Sequence, residues 1–253
     1  MTGDNERTDK VNDRLTLIQK TDGITFGTDA LLLAGYIGKG YTCGLELGAG
    51  SGILSLLLLT REKVRRITAL EVQEDYAALT ARNAEENGLS DRLFPRLCDV
   101  RDFSPAPEES YDLVFSNPPY MKRGTGYENP VERKNIARRE VHGTIDDFLA
   151  AAGRALRYGG TFAAVYRPER LAPLFFAMRT AGIEPKRATF VHADAAAPAS
   201  LVLVEGRRGG KEGLYLTPPL LLFSDRAHTQ DSAEMTEIDK TGLFPAKYYQ
   251  NKG

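Results

Sequence analysis

The feature that most constrains the fold is a regular alternation of strand-like and helix-like segments through the middle of the chain. Short apolar runs, typical of buried strands, are predicted at residues 44–47, 66–70, 93–98, 112–116 and 160–166. Segments of helical composition lie between them, at residues 53–60, 74–87 and 144–156. This alternation predicts an α/β fold with a doubly wound, mostly parallel sheet, helices on both faces and ligands at the carboxyl ends of the strands.

The segment before this alternation is predicted to be a short hairpin followed by a helix. Asp22-Gly23 favours the positive φ angles of a tight turn, between strands at residues 15–18 and 24–26. Thr28 or Asp29 can then cap a helix over residues 30–37. We expect residues 1–40 to form this hairpin and helix, packed on the core.

The segment after the alternation is predicted to contain one more helix and two late strands. A proline near its start indicates a helix at residues 168–181, and strands are expected at 187–192 and 200–205. The main α/β domain is therefore expected over residues 41–224. We expect residues 225–253 to form a polar tail, loosely held after Lys240.

Composition excludes several classes of protein. The 253 residues carry 33 basic and 34 acidic side chains, so no global field indicates a nucleic-acid or membrane partner and any basic surface must be local. The amino-terminal residues lack the apolar run of a secretory signal, and no run is long enough to span a bilayer. His142, His192 and His228 show no metal-ligand spacing with either cysteine. We therefore expect a cytoplasmic protein with no membrane partner and no metal.

A glycine-rich loop at residues 46–52 joins the first strand of the alternation to its first helix. The sequence Glu-Leu-Gly-Ala-Gly-Ser-Gly lets a ligand approach the backbone, and the following helix start favours an anionic group near Gly48 and Gly50. The spacing lacks the third glycine of the nicotinamide dinucleotide fingerprint, because Ile53 occupies that place. A glycine loop alone is compatible with a nicotinamide enzyme, or with a turn that has only a structural role.

Carboxylates at successive strand ends narrow the choice of ligand. Glu71 ends the second strand and can accept both hydroxyls of a ribose, while Asp99 follows the third strand and can receive an adenine amino group. Glu46 can favour a cationic end. Ribose and adenine without a pyrophosphate, together with a positive charge, describe S-adenosyl-L-methionine, which we predict to be the cofactor.

The sequence Asn117-Pro118-Pro119-Tyr120 follows the fourth strand and indicates alkylation of a planar amino group. The lone pair of such an amine is delocalised into its ring, and two acceptors aimed at its N–H bonds would localise it toward the methyl donor. The Asn117 amide oxygen and the Pro118 carbonyl can be these acceptors, because the prolines fix the chain direction. Tyr120 can stack on the target ring. The alternative is a strand terminator followed by a turn.

A stretch rich in positive charge follows at residues 121–142 and is the candidate RNA-binding surface. It could lie over the substrate side of the cleft and contact phosphates. A mixed-charge, solvated loop or helix is the competing interpretation. The predicted RNA-binding residues are Lys122, Arg123, Arg138 and Arg139 in this stretch, with Arg167 after the fifth strand.

These residues together resemble the class I S-adenosylmethionine-dependent methyltransferases, and most closely the tRNA1(Val) adenine-37 N6-methyltransferase family. The resemblance covers about residues 12–224 and rests on segments 26–34, 46–52, 116–120, 167–170, 190–192 and 201–206. It implies a Rossmann-like, seven-stranded sheet and an adenine held by Asn117 and Tyr120. The residues expected to bind the cofactor are Thr28, Glu46, Gly48, Gly50, Glu71, Asp99, Val100 and Asn117.

The function expected from this resemblance is transfer of a methyl group to N6 of an adenine in RNA, with tRNA as the expected partner. Two alternatives stay open at the level of sequence. A glutamine side-chain amide also offers an NH2 group to an Asn-Pro-Pro-Tyr enzyme, so a protein could be the substrate. A non-catalytic RNA-binding protein that keeps the methyltransferase fold is the other alternative.

Overall fold

The computed structural model describes residues 5–21, 27–106, 110–118 and 143–249 of the chain. Its helices are α1 (Thr28–Tyr36), α2 (Ile53–Thr60), α3 (Glu74–Glu86), α4 (Ile145–Ala155), α5 (Leu171–Thr180) and α6 (Ala233–Thr241). Its strands are β1 (Glu6–Asn12), β2 (Leu15–Lys20), β3 (Tyr41–Leu47), β4 (Val64–Glu71), β5 (Leu93–Leu97), β6 (Tyr111–Ser116), β7 (Leu156–Tyr166), β8 (Ile183–His192), β9 (Ala199–Arg208), β10 (Tyr215–Leu216) and β11 (Leu220–Leu221).

The central sheet has the predicted doubly wound topology. Its seven long strands lie in the order β5-β4-β3-β6-β7-β9-β8, and only β9 runs antiparallel to its neighbours. The two-residue strands β10 and β11 extend the sheet by pairing in parallel with β8. The chain starts at β3, adds β4 and β5 on one side, and then returns to add β6 on the other. The α/β prediction is confirmed, and the strand order reverses between β3 and β6.

Helices cover both faces of this sheet, because alternate residues of each strand point to opposite sides. In β6, Leu113 and Phe115 belong to one hydrophobic cluster, together with apolar residues of α1, α2 and α6. Val114 belongs to a second cluster, with apolar residues of α4 and α5. Strands buried on both faces read as continuous apolar runs, which explains why the sequence located them.

The structure contains an amino-terminal hairpin, and it joins β2 to an upstream strand that was not predicted. β2 pairs with β1, upstream of it, and the turn is at residues 13–14, where Asn12 Oδ1 accepts the Arg14 N–H at 2.9 Å. The predicted turn at Asp22-Gly23 and the strand at 24–26 lie outside the described residues. β1 could not be recognised in the sequence, because it is polar, packs few apolar side chains and shows no buried face.

The hairpin is attached to α3 by two asparagine side chains one helical turn apart. Asn83 accepts the Ile18 N–H at 2.7 Å and donates to the Ile18 carbonyl at 3.0 Å. Asn87 does the same with both backbone groups of Thr16, at 2.9 and 2.7 Å. Each amide therefore satisfies β2 as a neighbouring strand would. Asn83 also donates to the Ser51 carbonyl at 2.9 Å, which connects the hairpin to the glycine loop.

The start of α1 differs from the predicted cap. Gly27 is the N-cap residue and makes no side-chain capping bond, so Thr28 and Asp29 lie inside the first turn. The Asp29 carboxylate accepts the N–H of Ala30 at 2.9 Å, and a negative charge in the first turn is favoured by the helix dipole. α4 begins with a capping box, in which the side chains of Thr144 and Asp147 bond to each other's backbone N–H groups.

The expectation that the chain is loosely held after Lys240 is wrong for residues 241–249, which continue a buried segment that starts in α6. Met235, Ile238, Phe244 and Tyr248 are buried in the same cluster as α1 and α2. The Phe244 ring packs edge-on against the Tyr36 ring, with their centroids 5.4 Å apart. These four apolar residues are separated by mostly polar residues in the sequence. The pattern they form is too weak to predict a buried segment.

A buried arginine of β8 fixes the end of this segment. The Arg187 guanidinium donates to the Tyr248 carbonyl at 3.1 Å, to the Tyr36 carbonyl at 2.8 Å and to the Glu205 carboxylate at 2.7 Å. It also stacks on the Tyr36 ring, 3.7 Å from the ring centroid.

Among the described residues, no helix combines the length and the apolar character needed to cross a membrane.

If the tail is part of the core, removal of one of its buried rings should destabilise the whole fold. Tyr248 is 0% exposed and donates to the Pro219 carbonyl at 3.2 Å. We expect Tyr248→Ala to lower the free energy of unfolding by about 3 kcal/mol, measured by urea denaturation. Phe176→Ala removes a ring that is 73% exposed and should change it little. Equal effects of the two substitutions would show that the tail does not contribute to the core.

Candidate active site at the reversal of strand order

The candidate site lies where β3 and β6 separate at their carboxyl ends. Parallel pairing places Glu46 of β3 beside Phe115 of β6, so the residues that follow each strand leave the sheet together. The buried Ser116 hydroxyl donates to the Leu47 carbonyl at 2.7 Å and holds the two ends at a fixed distance. Open α/β sheets bind ligands at this reversal of strand order. The glycine loop and Asn117 therefore face the same crevice.

The glycine loop needs its glycines for conformational reasons. Gly48, Gly50 and Gly52 have φ angles of 75°, 56° and 80°, in the left-handed region that side chains disfavour. At Gly52 there is also no room, because an added Cβ would lie 2.7 Å from Cγ2 of Thr80. At Gly50 an added Cβ would meet nothing within 4 Å, so this part of the loop borders open space.

The backbone N–H groups of this loop are already occupied by β4, which corrects one expectation. Gly48 and Ala49 donate to the Leu70 carbonyl at 3.0 and 2.9 Å. Gly50 donates to Oε2 of Glu71 at 2.8 Å, and its carbonyl accepts from the Thr80 hydroxyl at 2.8 Å. These N–H groups hold the loop in shape, so in this arrangement they do not face a carboxylate of a ligand.

Glu71 stands at the carboxyl end of β4, as predicted, and its carboxylate is held on both sides. Besides the bond to Gly50, its Oε1 accepts the N–H of Gln73 at 2.9 Å. The Gln73 side-chain amide adds a long contact to Oε1 at 3.5 Å. A carboxylate has about four acceptor positions, so these three contacts leave capacity for a hydroxyl donor. The predicted role of Glu71 toward a ribose stays a prediction.

Glu46 lies deeper than expected. Its side chain is 2% exposed and accepts a hydrogen bond from the Ser55 hydroxyl in α2. Desolvation raises the pKa of Glu46 to about 8, with a smaller contribution from the nearby Glu71 charge. The carboxyl group is therefore mostly protonated at neutral pH, which weakens its expected electrostatic attraction for a cationic ligand.

Asp99 follows β5 and is paired with a neighbouring arginine. Its carboxylate accepts the Arg101 backbone N–H at 2.9 Å and forms an ion pair with the Arg101 guanidinium. Val100, predicted beside it, is buried in the second hydrophobic cluster. Glu71 pairs with Leu97 of the adjacent strand, so Glu71 and Asp99 lie at the ends of neighbouring strands. The predicted role of Asp99 toward an adenine stays a prediction.

Asn117 comes directly after β6, and its side chain contacts the start of α1. The amide Nδ2 donates to Oδ2 of Asp29 at 3.0 Å. Pro118 follows and is buried. Thr28, a predicted cofactor residue, is exposed in the first turn of α1, next to Asp29. The structure thus brings the start of α1, the glycine loop and the Asn-Pro segment to one edge of the sheet.

The remaining predicted site residues are less well placed or lie outside the described part of the chain. Pro119, Tyr120, Lys122, Arg123, Arg138 and Arg139 lie outside the described residues, and so does His142. Arg167 follows β7, at the same sheet edge as Asn117, and donates to the Ser200 carbonyl at 3.2 Å. In the described ranges no group of three or more His, Cys, Asp or Glu side chains could hold a metal ion.

Sequence reasoning missed three residues that shape the site. Thr80 and Asn83 lie about one helical turn apart in α3. They donate to the carbonyls of Gly50 and Ser51, respectively, in the glycine loop. Asp29 contacts the Asn117 amide. No local pattern distinguishes these side chains from ordinary helix residues. Asp29 does belong to segment 26–34, which is one of the segments that carry the resemblance to the methyltransferase family.

Comparison with protein families gives one match that covers most of the chain. A family model described as "Methyltransferase small domain" matches residues 21–179. That range extends from the end of the hairpin to α5 and contains the whole site.

Curated relatives carry a consistent name. A Flavobacterium johnsoniae protein is 31% identical over 149 residues, which is 58% of this chain and 63% of that protein. An Enterobacter sp. protein is 28% identical over 242 residues, which is 94% of this chain and 90% of that protein. Both are named tRNA1(Val) (adenine(37)-N6)-methyltransferase. The chain thus spans less than two thirds of the length of the first of these relatives.

Solved structures agree on the fold. A predicted O-methyltransferase from Agrobacterium tumefaciens superimposes with a TM-score of 0.70 at 21% identity, over 86% of this chain and 98% of that one. M. jannaschii TYW2 in complex with AdoMet superimposes with a TM-score of 0.55 at 15% identity, over 82% and 89% of the two chains. At these identities the likeness concerns the fold alone.

The raised pKa of Glu46 predicts a pH dependence of stability. An unfolded glutamate loses its proton near pH 4.5, whereas the folded protein keeps it until about pH 8. Between these values the folded state binds more protons, so stability should fall as pH rises, by up to about 1.4 kcal/mol per pH unit. Glu46→Gln cannot titrate, so its stability relative to the wild type should increase from pH 5 to pH 8 and level off above.

The measurement is urea denaturation of both proteins across this pH range. Glu85→Gln makes the same chemical change at an exposed glutamate of α3. Its free energy of unfolding plotted against pH should run parallel to that of the wild type. A curve for Glu46→Gln that is also parallel would show that Glu46 is ionised throughout.

Proposed function

The chain belongs to the methyltransferase small domain family, and we propose that it transfers a methyl group from S-adenosyl-L-methionine to N6 of an adenine in tRNA. The observation that carries the proposal is the position of Asn117, at the reversal of strand order and beside the glycine loop. The substrate class is supported by the shared name of the relatives, one of which matches over 94% of this chain.

The cofactor is S-adenosyl-L-methionine, which supplies a methyl carbon bonded to a positively charged sulfur. Glu71 and Asp99 are the residues that we expect to receive its ribose and adenine. Their backbone supports are already formed, because Gly50 and Gln73 hold Glu71 and Arg101 holds Asp99. The acceptor groups are thus fixed before the ligand binds, which reduces the entropy lost on binding.

The protein's task in the transfer is to position an amine and to stabilise a shifting charge. The nitrogen lone pair forms a bond to the methyl carbon while the carbon–sulfur bond breaks and its electron pair stays on sulfur. The nitrogen becomes positive and then releases a proton to water. Asn117 Oδ1 and the Pro118 carbonyl would accept the two N–H bonds, keep the lone pair directed at the methyl carbon and stabilise the positive nitrogen.

An uncharged acceptor suits this reaction. The amine gains positive charge only as the new bond forms, so acceptors at its N–H bonds interact more strongly with the transition state than with the substrate. The buried Ser116 and Pro118 on either side of Asn117 restrict the backbone direction at this point. Stacking of the adenine on Tyr120, as the sequence predicts, would require that the base leave its stack in the RNA.

The substrate class is tested with isotopically labelled cofactor. Incubation of the protein with labelled S-adenosyl-L-methionine and bulk tRNA should place the label in N6-methyladenine, identified by mass spectrometry of nucleosides. A parallel reaction with a protein extract tests the glutamine alternative, and label found only in protein would reject the RNA proposal. Failure to bind S-adenosyl-L-methionine in titration calorimetry would favour a non-catalytic protein.

Asn117→Ala should separate chemistry from cofactor binding. Loss of one aligned acceptor should lower kcat by about 10²–10³-fold. The dissociation constant for S-adenosyl-L-methionine should change much less, because the other predicted cofactor residues remain. Asn12→Ala removes an exposed asparagine of the hairpin and serves as the matched control. Glu71→Ala should show the opposite pattern, with weaker cofactor binding as its main effect. Full activity of Asn117→Ala would contradict the proposed role of the amide.

The predicted cationic surface should be visible in the salt dependence of tRNA binding. Each phosphate contact that Lys122→Ala or Arg139→Ala removes should reduce the slope of log affinity against log salt concentration by about 1. Lys211→Ala is the control, because this exposed lysine follows β9, whose antiparallel direction takes its end to the opposite sheet edge. Equal slopes for all variants would mean that residues 121–142 do not bind the RNA.

A further inference from the structure

Asp29 joins the start of α1 to the amide on which the proposed chemistry depends. Its two carboxylate oxygens have different partners: Oδ1 accepts the N–H of Ala30 at 2.9 Å, and Oδ2 accepts from Nδ2 of Asn117 at 3.0 Å. The two residues are 88 positions apart in the chain, so only the folded protein brings them together. The contact bridges α1 and the end of β6.

This contact determines which way the Asn117 amide points. An asparagine side chain has a donor end and an acceptor end of nearly equal size, so it can be turned over at little steric cost. An ionised carboxylate only accepts hydrogen bonds, and Asp29 therefore selects the orientation with NH2 toward α1. In that orientation Oδ1 lies on the other side of the amide, and a hydroxyl or amide partner, which can both donate and accept, could not make this choice.

The carboxylate also changes the strength of the acceptor. Hydrogen bonds in a chain polarise each other, and a bond to an ionised group does so more strongly than one between neutral groups. A negative charge at the NH2 end of Asn117 makes its Oδ1 a better acceptor for an amine that is gaining positive charge. Asp29 would thus help the reaction without contacting the substrate.

Asp29 can fix another side chain because α1 is itself fixed at its other end. The Nζ atom of the buried Lys63 lies 2.5, 3.1 and 2.6 Å from the carbonyl oxygens of Ala34, Gly35 and Ile37. Three acceptors around one nitrogen favour its charged form, whereas desolvation lowers its pKa to about 6. Together with the Arg187 bond to the Tyr36 carbonyl, these contacts satisfy the carbonyls at the end of the helix. A helix of nine residues held in this way keeps its first turn in place.

We propose that Asp29 is a positioning residue that orients and polarises the Asn117 amide for methyl transfer. The proposal rests on the function proposed above, since it assigns to Asp29 a part in that reaction. It also gives the Gly27-Thr28-Asp29 segment a purpose beyond starting a helix.

The sharpest test compares two substitutions at this position. Asp29→Ala removes the carboxylate and should lower kcat about 10–100-fold, with unchanged affinities for S-adenosyl-L-methionine and tRNA. Asp29→Asn keeps the shape, and the Ala30 N–H needs the remaining side-chain oxygen as its acceptor. The new NH2 group is therefore placed against that of Asn117. The Asn117 amide should then turn over and remove its oxygen from the substrate side. We therefore expect Asp29→Asn to lose at least as much kcat as Asp29→Ala, although it is the more conservative change.

Asp75→Ala is the matched control. Asp75 also lies in the first turn of a helix, its Oδ1 accepts the next residue's N–H at 3.0 Å, and its other oxygen forms an ion pair with Lys20. Removal of either carboxylate should lower the midpoint of thermal unfolding to a similar extent. Only the change at position 29 should affect kcat. Equal kcat in the wild type and in both Asp29 variants would overturn the proposal.

A double-mutant cycle and a spectrum of the cofactor-free protein separate this proposal from the proposed function. In the Asn117→Ala background, Asp29→Ala should cause no further loss of kcat, whereas independent, multiplicative losses would contradict a role through Asn117. In the protein labelled with 15N-asparagine, the side-chain NH2 signal that Asn117→Ala removes should shift in Asp29→Ala and not in Asp75→Ala. If the wild type methylates no RNA but this signal shifts, the function is wrong and the contact stands. An active wild type with an unshifted signal would reject the contact.

Discussion

The structure depends on one constraint, the parallel pairing of β3 with strands on both sides. β4 and β6 lie on opposite sides of β3. The loops that follow β3 and β6 therefore have to diverge, and they leave a crevice between them. The Ser116 hydroxyl, bound to the Leu47 carbonyl, keeps this opening at a fixed width. Everything polar that we assign to the site is attached to one of these strand ends or packed against it.

Much of this could be predicted because parallel strands buried on both faces leave strong sequence signals. The helix at residues 53–60 has the predicted limits, and the long strands differ from prediction mainly at their ends. The acidic residues that follow β4 and β5 were located by the same reasoning, since the end of an apolar run marks the end of a strand. The loop itself was recognisable because three positive φ angles require three glycines.

The errors came from contacts between segments that are distant in sequence. β1 is polar, and its partner β2 is stabilised by Asn83 and Asn87 of α3, which no local pattern reveals. The carboxy-terminal tail is held by Arg187, more than 60 residues away, and by a few isolated rings. The raised pKa of Glu46 could not be predicted for the same reason, because desolvation depends on the helix packed over this residue and not on its neighbours in sequence.

The hydrogen bonds within the candidate site have a common effect, because they satisfy its polar groups before a ligand binds. Both sides of the Gly50 peptide are bonded, to Glu71 and to Thr80, and each of the acceptors Glu71, Asp99 and Asn117 has a protein partner. Groups held in this way need little reorganisation when charge moves from sulfur to nitrogen, and electrostatic stabilisation is most effective when its dipoles are already oriented. The same bonds make structure and function hard to separate at Glu71, whose carboxylate both shapes the loop and faces the crevice. Asn117 differs from Glu71, because its contact with Asp29 involves the donor end of the amide, whereas the role proposed for Asn117 in the reaction involves the acceptor end.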